Sequence, residues 1–121
     1  MGKAQGPAGR SAVLRTALLA LLAERDSHGY DLVPRLETLG LNPDMAGVYR
    51  TLRSMDRRGE LRSTWDTSSQ GPPRRVYSVT EEGQELLRRA VAGMEAENLA
   101  MLRLLAHCRR RGLGARASRT T

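Results

Sequence analysis

The sequence of 121 residues contains no phenylalanine, one lysine (Lys3), one cysteine (Cys108) and no long hydrophobic run. A single cysteine cannot form a disulfide within the monomer, and neither Cys108 nor the two histidines, His28 and His107, fall in a metal-ligand spacing. We therefore expect no metal site and no cofactor. No segment reaches the roughly 20 apolar residues of a membrane span, and no signal-peptide stretch follows the N-terminal charges. We expect a cytoplasmic protein with no membrane partner.

The sequence patterns of enzymes are also missing. No nucleophile stands beside a plausible base, no glycine-rich phosphate loop precedes a helix, and no paired carboxylates suggest a catalytic cleft. A chain of this length is expected to form one domain with a modest core. We therefore expect a binding protein and not an enzyme. Its core should consist mainly of the 18 leucines, and leucine and alanine favour helix.

Positive charge is concentrated in three parts of the chain. The net charge is +7, and 19 of the 20 basic residues are arginine, which suits bidentate contacts with phosphate. Arginines cluster near the C-terminus, Lys3 and Arg10 lie near the N-terminus, and residues 44 to 75 hold seven arginines against four acidic residues. This distribution favours a polyanionic partner that contacts basic arms and one basic surface. Solubilising tails and a genomic preference for arginine are the alternative interpretation.

The first predicted helix follows a segment without periodicity. Residues 1 to 10 contain three glycines and a proline, the composition of a flexible basic arm. Ser11 is expected to cap a helix that ends around Glu24. Apolar residues recur through this segment at spacings of three and four, as Leu14, Ala17, Leu18, Leu21 and Leu22.

A second helix is predicted after Ser27. One side of it is expected to carry four apolar residues, Tyr30, Val33, Leu36 and Leu39. Gly40 is expected to end the helix. Pro34 has no amide proton, so it should kink the helix or confine regular helix to the residues near and after it.

The third predicted helix has clear signals at both ends. Asn42 or Asp44 is the expected N-terminal cap, and Gly59 follows a basic last turn. Its core-facing residues are expected to be Val48, Leu52 and Met55, at i, i+4 and i+7.

A hairpin is predicted after the third helix. Residues 61 to 66 alternate, with Leu61, Ser63 and Trp65 on one face, which is the period of a half-buried strand. A second strand includes Val76, Tyr77 and Val79, and the polar residues 67 to 73 form the turn between the strands.

The last predicted helix is about thirty residues long. Thr80 is its expected cap, and no proline follows before Gly112. Its apolar residues follow a seven-residue frame that predicts a homodimer interface made of Leu87, Val91, Met94, Asn98, Met101, Leu105 and Cys108. Asn98 either sets the register of the two helices or faces solvent. The expected organisation is a flexible basic arm (1–10), a domain of three helices and a hairpin (11–80), a dimerisation helix (81–111) and a flexible basic tail (112–121).

Three helices, a hairpin and a last helix form the order of a winged helix-turn-helix, and specific residues resemble the PadR family of bacterial transcriptional regulators. The matching stretches are HGYDL at 28–32, GVYRTLR at 47–53, GEL at 59–61, WDT at 65–67, GPPRRVY at 71–77 and TEEG at 80–83. The short C-terminus resembles the branch whose members end in one dimerising helix. The resemblance implies a mainly α fold with a small β-hairpin, in which a winged helix-turn-helix precedes a long C-terminal dimerisation helix.

The resemblance implies a sequence-specific DNA-binding regulator that acts as a homodimer, expected to be a repressor of a double-stranded operator. In such a fold the third helix enters the major groove and the wing contacts phosphates. The expected DNA-binding residues are Asp44, Gly47, Tyr49, Arg50, Arg53, Arg57, Arg74 and Arg75. Two of these expectations have alternatives. Tyr49 contacts DNA or belongs to the core. Arg74 and Arg75 point to opposite faces of a strand, so one of them contacts the DNA backbone and the other stacks on Trp65.

Regulation has two competing interpretations. A small apolar or aromatic effector would bind at the dimer interface, with Trp65, Met94 and Met101 as the candidate pocket. Alternatively, the dimer core is closed, and protein abundance or a partner protein regulates activity. The sequence has Ala46 and Gly47 where the family usually places Gly followed by Ser or Thr, so a hydroxyl that could reach DNA is missing. This departure supports the alternative function, a winged-helix interaction module that regulates through a partner protein without specific DNA binding.

Overall fold

The computed structural model describes residues 9–68 and 70–114. These residues form, in order, α1 (Arg10–Glu24), β1 (Ser27–His28), α2 (Gly29–Thr38), α3 (Met45–Arg57), β2 (Leu61–Asp66), β3 (Arg74–Val79) and α4 (Glu81–Arg110). Most of the expected N-terminal arm and of the C-terminal tail lies outside the described residues. The fold is mainly helical with a small antiparallel sheet, which confirms the predicted fold class.

The first helix starts one residue before the predicted cap. Gly9 occupies the N-cap position without a side-chain hydrogen bond, and its carbonyl already accepts the amide proton of Val13 at 3.0 Å. The prediction that Ser11 caps this helix is therefore wrong, because Ser11 lies within the first turn. The helix ends at Glu24, as predicted.

The second helix includes Pro34 and buries part of the predicted face, since Leu36 is buried and Val33 packs partly against the core. It buries Gly29, Leu32 and Leu36, which are spaced i, i+3 and i+7. Tyr30 and Leu39 are 62% and 55% exposed, so their assignment to the apolar face is wrong. The buried face begins with a glycine, which a hydrophobic pattern cannot detect.

A short strand that the sequence pattern did not predict precedes α2. Ser27 and His28 form β1 and pair antiparallel with Tyr77 and Val76 of β3. The sheet therefore has three strands in the order β1-β3-β2, not the two of the predicted hairpin. Two residues are too few to show the alternation that indicates a strand.

The third helix and the hairpin form as predicted. The Asp44 side chain caps α3, and β2 covers Leu61–Asp66. Cross-strand partners run in register from Leu61 and Val79 to Asp66 and Arg74. The core is dominated by leucine, which accounts for eight of its twelve members: Ala17, Leu18, Leu19, Leu21, Leu22, Leu32, Leu36, Val48, Leu52, Met55, Leu61 and Tyr77.

The chain divides into two compact units, one up to Arg89 and one from Ala90, and α4 contributes to both. At the start of α4, the Thr80 hydroxyl accepts the amide proton of Gly83 at 3.0 Å, which confirms the predicted cap. In the first unit, Leu87 packs partly against the core. In the second unit, residues 91 to 107 are exposed. No helix in the described residues is long and apolar enough to cross a membrane.

Candidate nucleic-acid interface

The third helix has one buried face and one exposed arginine-bearing surface. Val48, Leu52 and Met55 are fully buried, which fixes the rotation of α3 about its axis. The remaining surface carries Arg50, Arg53 and Arg57, all exposed. Within residues 9–68 and 70–114, none of these three arginines forms an ion pair. Their guanidinium groups are therefore available to an external anion.

The first turn of α3 has a compact geometry. The Gly47 amide donates a hydrogen bond to Asp44 Oδ1 at 3.2 Å, so this carboxylate caps the helix. A Cβ atom at Gly47 would lie 2.6 Å from the same oxygen and 3.7 Å from Arg50 Nη2. The structure therefore brings Asp44, Gly47 and Arg50 together. The Asp44 carboxylate is engaged in capping, and the guanidinium of Arg50 lies close to the bare backbone of Gly47.

Tyr49 lies on the boundary of the α3 arginine surface. Its side chain is half-buried and packs against the core. The ring contacts the backbone of Gly29, at the first residue of α2. This position gives the ring a packing role and leaves part of the residue exposed beside Arg50.

The two arginines of the wing have different surroundings. Arg75 is directly opposite Trp65 in the β2–β3 register, and its Cζ atom lies 4.8 Å from the centroid of the indole ring. Its Nη1 atom is also 3.9 Å from Asp56 Oδ2. Arg74 is opposite Asp66 and is exposed. The predicted stacking of one arginine on Trp65 is thus confirmed, and that arginine is Arg75.

Sequence patterns did not reveal a histidine bridge to the outer end of β2. His28 Nε2 lies 3.0 Å from Asp66 Oδ2, and Nδ1 lies 3.4 Å from Asp31 Oδ2. Hydrogen bonds from the Ser68 hydroxyl and amide, followed by one from His28, lower the pKa of Asp66 to about 2. The pairing of His28 with Asp31 has a helical spacing that a sequence scan could find. The pairing with Asp66 spans 38 residues and depends on the sheet.

The proposed effector residues do not line a cleft between the start of α1 and the segment that joins α2 to α3. This cleft has a volume of about 500 Å³ and is lined by Arg10, Leu14, Gly40, Leu41, Asn42, Pro43 and Asp44. Trp65 is 61% exposed on the wing, and Met94 and Met101 are exposed on α4. The described residues contain no group of three or more histidine, cysteine, aspartate or glutamate side chains that could hold a metal ion.

The predicted dimer residues fall into two groups. Val91, Met94, Asn98, Met101 and Leu105 are exposed, and Cys108 is half-buried. Leu87 is half-buried and packs partly against the core of its own domain. The second unit also exposes four leucines outside the predicted frame, Leu99, Leu102, Leu104 and Leu113.

Three helices, the third of which carries an exposed arginine surface, together with a β-hairpin wing define a winged helix-turn-helix protein. A family model described as the transcriptional regulator PadR-like family matches residues 18–89. The chain therefore belongs to the PadR-like family of transcriptional regulators, as the sequence motifs predicted. None of the curated proteins matches the chain.

Solved structures support the family assignment. A PadR family transcriptional regulator from Eggerthella lenta DSM 2243 is 30% identical, with a TM-score of 0.70 over 77% of this chain and 81% of that chain. A conserved protein described as a potential transcriptional factor is 32% identical, with a TM-score of 0.76 over 88% and 96% of the two chains. Bacillus subtilis PadR in complex with operator DNA shares the fold at 22% identity, with a TM-score of 0.61 over 65% and 46%.

Proposed function

We propose that the protein is a cytoplasmic transcriptional repressor that binds duplex operator DNA as a homodimer. The surface of α3 carries this proposal. Arg50, Arg53 and Arg57 are exposed and have no ion-pair partners among the described residues. The opposite side of the helix, with Val48, Leu52 and Met55, is fully buried. In winged helix-turn-helix proteins this helix enters the major groove. The Bacillus subtilis relative, whose structure contains operator DNA, supports the same partner for this chain.

The residues of this surface have different proposed roles. Arg50 contacts guanine or phosphate, because an arginine in the first turns of the recognition helix can reach the edges of bases. Arg53 and Arg57 follow on the exposed surface, and Tyr49 contacts the DNA beside them. Asp44 and Gly47 shape the first turn so that the backbone comes close to the duplex. Arg74, exposed on the wing, contacts the phosphate backbone.

The C-terminal helix is the proposed dimerisation element, and residues 11–80 are the proposed DNA-binding domain. The apolar side chains of α4 that are exposed to solvent include Val91, Met94, Met101 and Leu105. Exposed apolar patches of this kind mark association surfaces. Their seven-residue frame suits a second copy of the same helix, with Asn98 fixing the register. The two recognition helices then contact half-sites about one helical turn apart. The basic arm (1–10) and tail (112–121) add contacts with phosphate.

A small apolar or aromatic effector is the proposed inducing signal. It would bind where Met94 and Met101 meet the partner helix. Methionine side chains adapt to varied apolar ligands. Such a ligand releases the operator only if it binds the two states of the dimer with different affinity.

Regulation through a partner protein is the second candidate function. Ala46 and Gly47 give the first turn of α3 no hydroxyl, and Leu99, Leu102 and Leu104 expose apolar surface beyond the dimer frame. In this function, the leucines contact a partner protein instead of a second copy of the chain.

Titration of the full chain with the DNA upstream of its own gene separates the two functions. We expect a footprint that survives an excess of random competitor DNA and covers two related half-sites. Loss of the footprint at low competitor concentration would favour the partner-protein function. Addition of apolar and aromatic compounds to the footprinted complex then tests effector release.

A further inference from the structure

Asp56, near the end of α3, contacts both strands of the wing. The Ser63 hydroxyl on β2 donates a hydrogen bond to Asp56 Oδ2 at 2.6 Å. Arg75 Nη1 on β3 lies 3.9 Å from the same oxygen. One carboxylate oxygen therefore connects the recognition helix to the two strands of the hairpin.

The groups around Asp56 lie on one face of the hairpin. Residues directly opposite each other in an antiparallel pair share a face, and Ser63 pairs with Tyr77 while Trp65 pairs with Arg75. Tyr77 is buried in the core, and Trp65 is largely exposed. The contact between Asp56 and Arg75 thus lies on the face that runs from Tyr77, in the core, to Trp65, in the outer part of the wing.

Arg75 is held between two partners within its own chain. Its guanidinium lies over the Trp65 ring at 4.8 Å and beside the Asp56 carboxylate. Arg74, its neighbour on the opposite face of β3, has no ion-pair partner among the described residues. The two adjacent arginines therefore differ in their freedom to reach a phosphate.

We propose that Asp56 is a positioning residue that holds Arg75 over Trp65 and so fixes the wing against α3. Arg75 then acts through the orientation of the wing and does not contact phosphate, whereas Arg74 does. The contacts themselves are independent of DNA. Their consequence for operator binding rests on the proposed function.

Trp65 is the only tryptophan of the chain, so its fluorescence reports on this arrangement in the free protein. The variants are Asp56→Asn, which removes the charge, Asp56→Glu, which keeps it, and Arg75→Gln. Arg88→Gln is the matched control, because it removes the arginine of a different ion pair, the exposed one with Glu85 on α4. Thermal unfolding of each full-length variant establishes that it is folded.

Acrylamide quenching of Trp65 is the first measurement. We expect stronger quenching in Arg75→Gln and Asp56→Asn, because the guanidinium no longer covers the ring. Asp56→Glu and Arg88→Gln should resemble the unsubstituted protein. Quenching in Asp56→Asn equal to that of the unsubstituted protein would overturn the positioning role.

The salt dependence of operator affinity is the second measurement. Asp56→Asn and Arg75→Gln should each weaken binding by about twofold to fivefold with an unchanged salt slope, and the double variant should be no weaker than either single variant. Arg74→Gln should reduce the slope by about one. A slope reduced by about one in Arg75→Gln would overturn the proposal. A protein that binds no operator would refute the proposed function, while the quenching result would still decide the role of Asp56.

Discussion

Gly29, the first residue of α2, lies directly against the ring of Tyr49 in α3. A Cβ atom at Gly29 would lie 2.7 Å from Tyr49 Cε1 and 3.2 Å from Leu52 Cδ1. The two helices of the helix-turn-helix therefore approach more closely at this point than any other residue type would allow. This contact sets the position of Tyr49 at the edge of the proposed DNA surface.

Gly29→Ala should lower the free energy of unfolding by about 1 to 3 kcal/mol, because the added methyl group forces the ring of Tyr49 to move. Urea unfolding measures the change. The matched control is Gly93→Ala within α4, where nothing lies within 4 Å of the new Cβ atom. This control should gain up to about 1 kcal/mol from helix propensity. Equal or greater stability of Gly29→Ala would show that the close approach is not needed.

The Asp66 carboxylate should make stability depend on pH in the acidic range. Hydrogen bonds from Ser68 lower its pKa from 3.8 to about 2 in the folded protein. Because the folded pKa is lower than the unfolded one, the stabilisation is present above pH 3.8 and is lost as the pH falls towards about 2.

Ser68→Ala tests this assignment, because Ser68 is the main cause of the shift. NMR titration of the Asp66 carboxyl should give a pKa closer to 3.8 in this variant. Ser11→Ala, at an exposed position in the first turn of α1, should leave the Asp66 pKa unchanged. An unchanged pKa in Ser68→Ala would assign the shift to the backbone amide of residue 68 and the His28 contact instead.

Charged substitutions on α4 should separate the proposed dimer. Val91→Glu and Leu105→Glu place a carboxylate in the apolar frame, where burial of an unpaired charge is costly. Sedimentation should show monomers for both variants. Ala92→Glu makes the same change of charge outside the frame and should remain a dimer. If Ala92→Glu is a monomer while Val91→Glu and Leu105→Glu remain dimers, the interface lies on another face of the helix.

The dimer interface could also be tested by removing all residues after Gly83, but substitution tests it more directly. Truncation would also remove Leu86 and Leu87, which pack against the core of the first unit. Loss of these two residues would destabilise the domain itself. A monomer produced by truncation would therefore not identify the interface.

Local signals in the sequence predicted the elements that carry the proposed DNA surface. The cap at Asp44, the spacing of Val48, Leu52 and Met55, and the alternation after Leu61 each depend on residues a few positions apart. Such short-range patterns specify where a helix or strand begins and which face is buried. The bounds of α3 and β2 agree with them.

Contacts between distant residues could not be predicted in this way. The strand at Ser27 exists because β3 supplies its hydrogen-bonding partners, and the bridge from His28 to Asp66 follows from that pairing. The sequence allowed either Arg74 or Arg75 to stack on Trp65. Only the register of the hairpin, which places Arg75 opposite Trp65, distinguishes them.

Arg50→Ala is the most direct test of DNA reading by α3. Affinities of the unsubstituted protein, Arg50→Ala and the control Arg88→Ala are measured on the footprinted operator and on random duplex DNA at one salt concentration. We expect Arg50→Ala to lose about 1 to 3 kcal/mol of binding free energy on the operator, with a much smaller loss on random DNA. Arg88→Ala should lose little on either DNA. Equal losses on operator and random DNA from Arg50→Ala would contradict base recognition by this helix.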